Sequence, residues 1–150
     1  MTYIKQELYA QCQAFVNARL EAITKTIHEI QESLTSETKS SAGDKHETGR
    51  AMLQLEREKA GNQLAEIQKI KEVLQKIDTD THHKKVARGS LVYTSQFNYY
   101  LAISAGEIIL ENEKFYAISA STPIAQLLLS KTVGEQIQFR STTFVITKIE

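Results

Sequence analysis

Val16, Leu20, Ile23, Ile27, Ile30 and Leu34 are separated by steps of 4, 3, 4, 3 and 4 residues. No feature of the chain constrains its fold more. On an α-helix that spacing gathers branched apolar side chains on one seam. Ile4, Leu8, Cys12 and Phe15 carry an apolar face ahead of it with a slightly different phase, and no proline or glycine interrupts Tyr3 to Leu34. A second stripe, Leu53, Ala60, Leu64, Ile67, Ile70, Leu74 and Ile77, predicts a helix from about Thr48 to Ile77, with Arg57 standing where an apolar residue would continue it. Gly61 lowers helix propensity there by about 1 kcal/mol relative to alanine without ending the helix. Neither helix is stable alone in water, so two stripes of similar length predict an antiparallel coiled-coil hairpin, each helix covering the seam of the other. At a rise of about 1.5 Å per residue, helices of roughly 30 residues make a rod on the order of 45 Å long. Such a rod has little core and needs an anchor.

Helical periodicity stops at "DTDTHHKKVARGS", residues 78–90, and β-rich sequence follows. "SLVYTS" (90–95), "NYYLAIS" (98–104), "EIILENEKFYAIS" (107–119), "EQIQFR" (135–140) and "TTFVITKIE" (142–150) are rich in Val, Ile, Tyr, Phe and Thr and are separated or interrupted by short polar breaks such as "SQ", "AG" and "ENE". Pro123, in "STPIAQLLLSK", suits the first position of a short helix capped by Thr122 or Ser121. The predicted class is α+β: a helical hairpin over 1–78, a linker over 79–89 and a small β domain with one short helix over 90–150.

With 41% hydrophobic and 24% charged residues, the composition argues against disorder and low-complexity sequence. No apolar run approaches the roughly 18–20 residues that span a bilayer, so no membrane partner is expected. The first residues, "MTYIKQELYAQCQ", lack the apolar segment of a signal peptide. A lone cysteine, Cys12, forms no internal disulfide, which favours a reducing compartment and makes the cytoplasm the expected location. Charge is balanced at 18 basic and 18 acidic residues, eleven of each sign in 1–77 and seven of each in 78–150. Bulk binding to duplex nucleic acid, which needs a basic surface, therefore has no support from counting. Composition leaves a small clustered patch open.

The polar segment between the stripes, "KSSAGDKHETGRA" (39–51), carries Asp44 and Glu47 three positions apart. In one reading they form a capping box, Asp44 at the N-cap and Glu47 at N3, favoured by the positive end of the second helix. In the other they help hold a divalent metal. Hard cations such as Mg²⁺ take one or two carboxylates plus water and phosphate oxygens, so the site would be complete only with another molecule. A cap can leave a carboxylate oxygen free, so the readings are compatible. Arg50 and Arg57, seven apart, lie on one helix face, as ordinary surface charge or as guanidinium groups that hold an RNA backbone. His46, His82 and His83 have no partner at a metal-finger spacing and read as solvated residues. Cys12 stands at a stripe position with no catalytic signature and reads as a buried thiol. No phosphate loop, nucleophile elbow or dinucleotide fingerprint occurs.

The chain resembles the Gre family of bacterial transcript-cleavage factors. "GDKHETGRA" is similar to the family's tip motif, Gly-Asp-x-x-Glu-Asn-Ala-Glu-Tyr, with Gly43, Asp44 and Glu47 at matching positions. "ISASTPIAQLLLSKTVGEQIQF" resembles the family's segment Ile-Ser-x-x-Ser-Pro-Ile-Ala through Lys-x-Val-Gly-Asp, matched at Pro123, Ile124, Ala125, Lys131, Val133 and Gly134. The resemblance implies an FKBP-like β domain that docks on RNA polymerase through the loop at Ser121, Thr122 and Pro123. It implies a coiled coil inserted in the secondary channel, with Asp44 and Glu47 catalytic in the sense of holding the second Mg²⁺ so that the polymerase cleaves backtracked RNA at its nascent 3′ end. The isolated protein would bind no cofactor and be no enzyme, but a factor that stimulates the polymerase's own nuclease. After Glu47 the family's Asn-Ala-Glu-Tyr is replaced by Thr48, Gly49, Arg50 and Ala51. Because an acid and an aromatic are lost and a base gained, the alternative is a channel-binding regulator that does not promote cleavage. FKBP-like folding does not itself bring prolyl isomerase activity.

Overall fold

A computed structural model describes the backbone of residues 2–39 and 43–150 and the side chains of 3–36 and 48–150. The protein is α+β, two long helices followed by a six-stranded sheet. The helices are α1 (Thr2–Lys39) and α2 (Gly43–Gln75). The chain forms two compact units: residues 16–71 make one, and residues 1–15 and 72–150 the other. Residues 1–15 and 72–78, which periodicity alone assigns to the helices, thus group with the sheet.

In the helical unit the heptad stripes become the interface. Val16, Ile23, Ile30 and Leu34 of α1 and Ala60 and Ile67 of α2 are buried, whereas Leu20, Ile27, Leu53, Leu64 and Ile70 are half-buried at its margins. The helices run antiparallel. Arg19, Ala22, Ile23 and Thr26 of α1 share one surface depression with Gln63 and Ile67 of α2, and nearer the connection Arg50 Nη1 donates to the Leu34 carbonyl at 3.1 Å. Thr24, Thr26 and Thr35 donate their hydroxyls to carbonyls four residues back, which satisfies them without leaving the helix.

In the other unit the strands are β1 (Leu91–Thr94), β2 (Asn98–Ala102), β3 (Gly106–Leu110), β4 (Glu113–Ser119), β5 (Gln136–Phe139) and β6 (Thr142–Ile149). Their order is β3-β4-β2-β1-β6-β5, antiparallel throughout except where β2 pairs parallel with β4. The break read at "ENE" is a two-residue hairpin turn. Glu111 and Asn112 both take positive φ, 50° and 63°, the left-handed pair that matches strand twist at such turns. A short helix, α3 (Pro123–Leu128), packs Ala125 and Leu128 onto Val92, Leu101, Phe144 and Ile146, with Val86, Ile137 and Ile149 completing the core. Leu91, Tyr100, Phe115 and Ala117, in register across β1, β2 and β4 or next to a registered residue, are buried as well. Tyr100 lies close to Cys12 and Tyr9 of α1. The sheet therefore buries residues of both faces, which is why β1 and β2 read as apolar runs rather than as alternation.

Candidate functional site

The side chains of Asp44 and Glu47, the residues on which the metal reading rests, lie outside the described residues. Their backbone belongs to α2, which begins at Gly43. Asp44 is thus the second residue of the helix and not its N-cap. A negative charge within the first turn still interacts favourably with the helix dipole, by about 0.3–1 kcal/mol when exposed. Three residues apart on a helix, the two carboxyl groups start from one face.

Arg50 and Arg57, which share one face of α2 with each other, have defined surroundings. Arg50 is half-buried, and its bond to the Leu34 carbonyl ties α2 to α1. Arg57, also half-buried, lays its guanidinium over Gly61, with Nη1 3.1 Å from where a Cβ would stand. A Cβ at 61 would therefore meet only the flexible end of Arg57, one turn away, and the φ of Gly61 is not positive. Met52 and Leu55, between these arginines in sequence, are exposed.

At the other predicted site, Ser121, Thr122 and Pro123 form the entry to α3. Thr122 caps it: the Thr122 hydroxyl accepts from the Ala125 N–H at 3.3 Å and donates to the Ser119 carbonyl at 2.8 Å. Ser121 and Ser119 join hydroxyls at 2.7 Å, and Gln126 Nε2 donates to the Ala120 carbonyl at 2.6 Å. The backbone is held from both sides. Ser121 and Pro123 are left exposed on a rigid turn, while Thr122 is consumed by capping. A proline at the first helical position removes an N–H that has no helical partner anyway.

Cys12 is buried, and burial pushes its thiol up to about 12, the state of an inert core cysteine. The histidine reading needs a correction. His82 is exposed, but His83 is half-buried with Nδ1 buried and without a hydrogen-bond partner. Burial, then Lys5 and His82, hold its pKa below the ordinary value, with Asp78 opposing. Beside it lies a residue that periodicity does not reveal. Lys5 is buried, and its ammonium donates to the Thr81 carbonyl at 2.6 Å. Burial lowers its pKa, and the Asp78 carboxylate opposes the shift. Asp78 accepts from the Asp80 N–H at 2.8 Å and the Thr81 hydroxyl at 3.0 Å. Lys5 thus fastens the linker to the start of α1. Its placement at i, i+3 with Leu8 is the only hint the sequence holds.

Among the described residues no three His, Cys, Asp or Glu side chains are placed to hold a metal ion. No described helix is long and apolar enough to cross a membrane. No family model matches the chain, and no curated protein matches it. Among solved structures the chain is similar to that of the transcription factor Gfh1, at 16% identity and a TM-score of 0.34, over 88% of this chain and 93% of that one. A likeness this coarse carries no argument about the site.

Proposed function

We propose that the protein is a transcription elongation factor that binds bacterial RNA polymerase. In this reading α1 and α2 form an antiparallel coiled coil whose connected end enters the secondary channel, and the sheet with α3 is an FKBP-like domain that docks outside it. The observation that carries the reading is the position of the Gly43, Asp44, Glu47 motif: it opens α2, the long helix that runs antiparallel to α1. The match of the "STPIA" segment to a rigid, partly exposed turn at the start of α3 agrees with a docking role for Ser121 and Pro123.

Two carboxylates on one helical face fit a hard divalent cation that draws its other ligands from water and from a partner. Asp44 and Glu47 would hold the second Mg²⁺ jointly with the polymerase. The ion would supply charge stabilisation at the attacking and leaving oxygens of the RNA phosphodiester. Arg50 and Arg57 would steady the RNA backbone behind the acids. The nuclease chemistry belongs to the polymerase, and this protein alone turns over nothing.

A second reading has one specific observation in its favour. Arg50 stands at the position of an acid in the resembled motif, and its bond to the Leu34 carbonyl holds that positive charge against α1, in the stretch of α2 that follows Asp44 and Glu47 in sequence. A regulator that occupies the channel without promoting cleavage would tolerate this. Backtracked elongation complexes separate the readings: a cleavage factor accelerates release of the RNA 3′ fragment, whereas a channel blocker competes with a cleavage factor and releases none. Failure to bind polymerase at all contradicts both.

A further inference from the structure

The linker that composition marks only as polar is a fixed element of the sheet-bearing unit. Val86 exchanges two backbone bonds with the loop after α3: its N–H donates to the Lys131 carbonyl at 2.9 Å, and its carbonyl accepts from the Ser130 N–H at 2.8 Å. The Val86 side chain is part of the core. Further along, the Gly89 N–H donates to the Leu101 carbonyl at 2.6 Å, and the Leu101 N–H to the Ser90 carbonyl at 3.0 Å. The buried Ser90 hydroxyl accepts from the Ala87 N–H at 2.8 Å. Gly89 takes φ 92° with Ile77 3.2 Å from where a Cβ would stand, so no other residue fits that turn without strain.

What this framework presents is positive charge. Lys84, Lys85 and Arg88 are exposed, and the bonds at Val86 bring Lys131 alongside them. No acidic residue occurs between Asp80 and Glu107. Among the described residues no ion pair engages these four cations. Glu135 is the nearby acid: its carboxylate accepts from the Thr132 N–H at 2.6 Å and hydroxyl at 3.1 Å and stays charged, so it offsets one of the four cations, facing Lys131 and Lys85, and leaves the strip positive. Of the seven basic residues in 78–150, four thus fall in one strip of a half that carries no net charge.

We propose that Lys84, Lys85, Arg88 and Lys131 form a binding strip for the phosphate backbone of a nucleic acid. An acidic protein surface is the less fitting partner. Protein interfaces rely on apolar or aromatic anchors at their centre; between residues 79 and 88 the one large apolar side chain, Val86, is turned into the core, and beside Lys131 the exposed Val133 is a single small anchor. Phosphates ask only for cations held at fixed spacing. The strip shares no residue with the proposed acidic site, and its binding does not require polymerase.

The test is fluorescence anisotropy of the full chain with labelled single-stranded RNA or duplex DNA, titrated at several salt concentrations. With three to four phosphates neutralised, log K should fall with log salt at a slope of about −2 to −3 for the single strand and about −3 to −4 for the duplex. Between about 50 and 200 mM salt the single-strand affinity should drop roughly 20- to 50-fold. The tighter arm identifies the source of the phosphates. Lys84→Ala/Lys85→Ala/Arg88→Ala should bring the slope to about −1 or flatter with an unchanged melting temperature. Lys25→Ala/Lys59→Ala, both exposed on the helices, should leave it as in wild type. Absence of binding at low salt, an unchanged slope in the triple variant, or an equal loss in the helix control would overturn the proposal. So would displacement of the oligonucleotide by poly-glutamate at equal charge concentration, which would assign the strip to an acidic protein.

Discussion

Ile67 and Leu55 stand on the same helix, one buried in the seam and one 54% exposed, and replacing each with alanine measures what the seam contributes. Ile67→Ala removes a buried side chain beside Ile23 and Ala22. Deletions of this kind cost about 2–5 kcal/mol, and a two-helix layer that relaxes into the gap belongs in the lower half of that range. Alanine returns a few tenths of a kcal/mol, on the order of 0.4, in helix propensity. The net loss is about 2–3 kcal/mol. Leu55→Ala gives up less than half of the roughly 1.5–3 kcal/mol of a fully buried leucine and should cost about 0.5 kcal/mol after the same correction. With a urea slope near 2 kcal/mol/M, the Ile67 variant should lower the midpoint by about 1–1.5 M and the Leu55 variant by about 0.3 M. The far-UV helix signal reports α1 and α2. Tyrosine fluorescence reports the sheet, because the chain has no tryptophan and four of its six tyrosines, Tyr93, Tyr99, Tyr100 and Tyr116, lie on strands. The shift should appear first in the helix signal. Equal midpoints for the two variants would refute the seam.

Gly61→Ala should raise the helix-signal midpoint by the equivalent of up to about 1 kcal/mol, because the neighbour in the way is the mobile end of Arg57; a loss in the urea titration would show that Arg57 cannot move. Thr122→Ala should cost about 0.5–2 kcal/mol through the lost cap, while Ser121→Arg should leave the melting temperature within a degree or so and weaken polymerase binding in a pull-down titration. For Lys5, whose folded pKa is lowered from 10.5, the unfolded chain binds more protons between the two values, so this group makes stability rise with pH through that window up to 10.5. Lys5→Met should remove that rise from melting temperatures measured across the window; an identical pH profile would show that the ammonium is not desolvated.

Periodicity marked the inward positions of the helices, since stripe residues such as Val16, Ile23, Ile30, Leu34, Ala60 and Ile67 are the buried ones. It gave no sign that both ends of the helical run, residues 1–15 and 72–78, group with the sheet. That grouping depends on single side chains such as Lys5, a charged residue in a position its composition class says should be wet, retained by one carbonyl 76 residues away. The strands were legible from their Val, Ile, Tyr and Phe content, and "ENE" marked the hairpin turn. The parallel pairing of β2 with β4 was not, since a local pattern does not specify which non-neighbouring strand closes a sheet. Thr122 and Pro123 announced α3 because capping chemistry is local. His83 misled for the opposite reason: its half-buried ring lies beside Gly89, in a turn that a local pattern does not reveal, and feels the charge of Lys5, far away in sequence. The acidic pair was legible as a pair, and its spacing on α2 follows from the helix, but two carboxylates on one face serve a dipole as readily as a metal.

The most direct test is therefore chemical. Asp44→Asn and Glu47→Gln keep side chains of the same size at the start of α2 and remove only the charges. In backtracked elongation complexes saturated with the factor, the rate of RNA 3′-fragment release should fall roughly a hundredfold or more with either variant, the equivalent of a few kcal/mol of transition-state stabilisation. Polymerase affinity and the melting temperature should stay near wild type. Release at the wild-type rate by the doubly substituted, charge-free protein would contradict the account and leave Asp44 and Glu47 as helix-terminal charges alone.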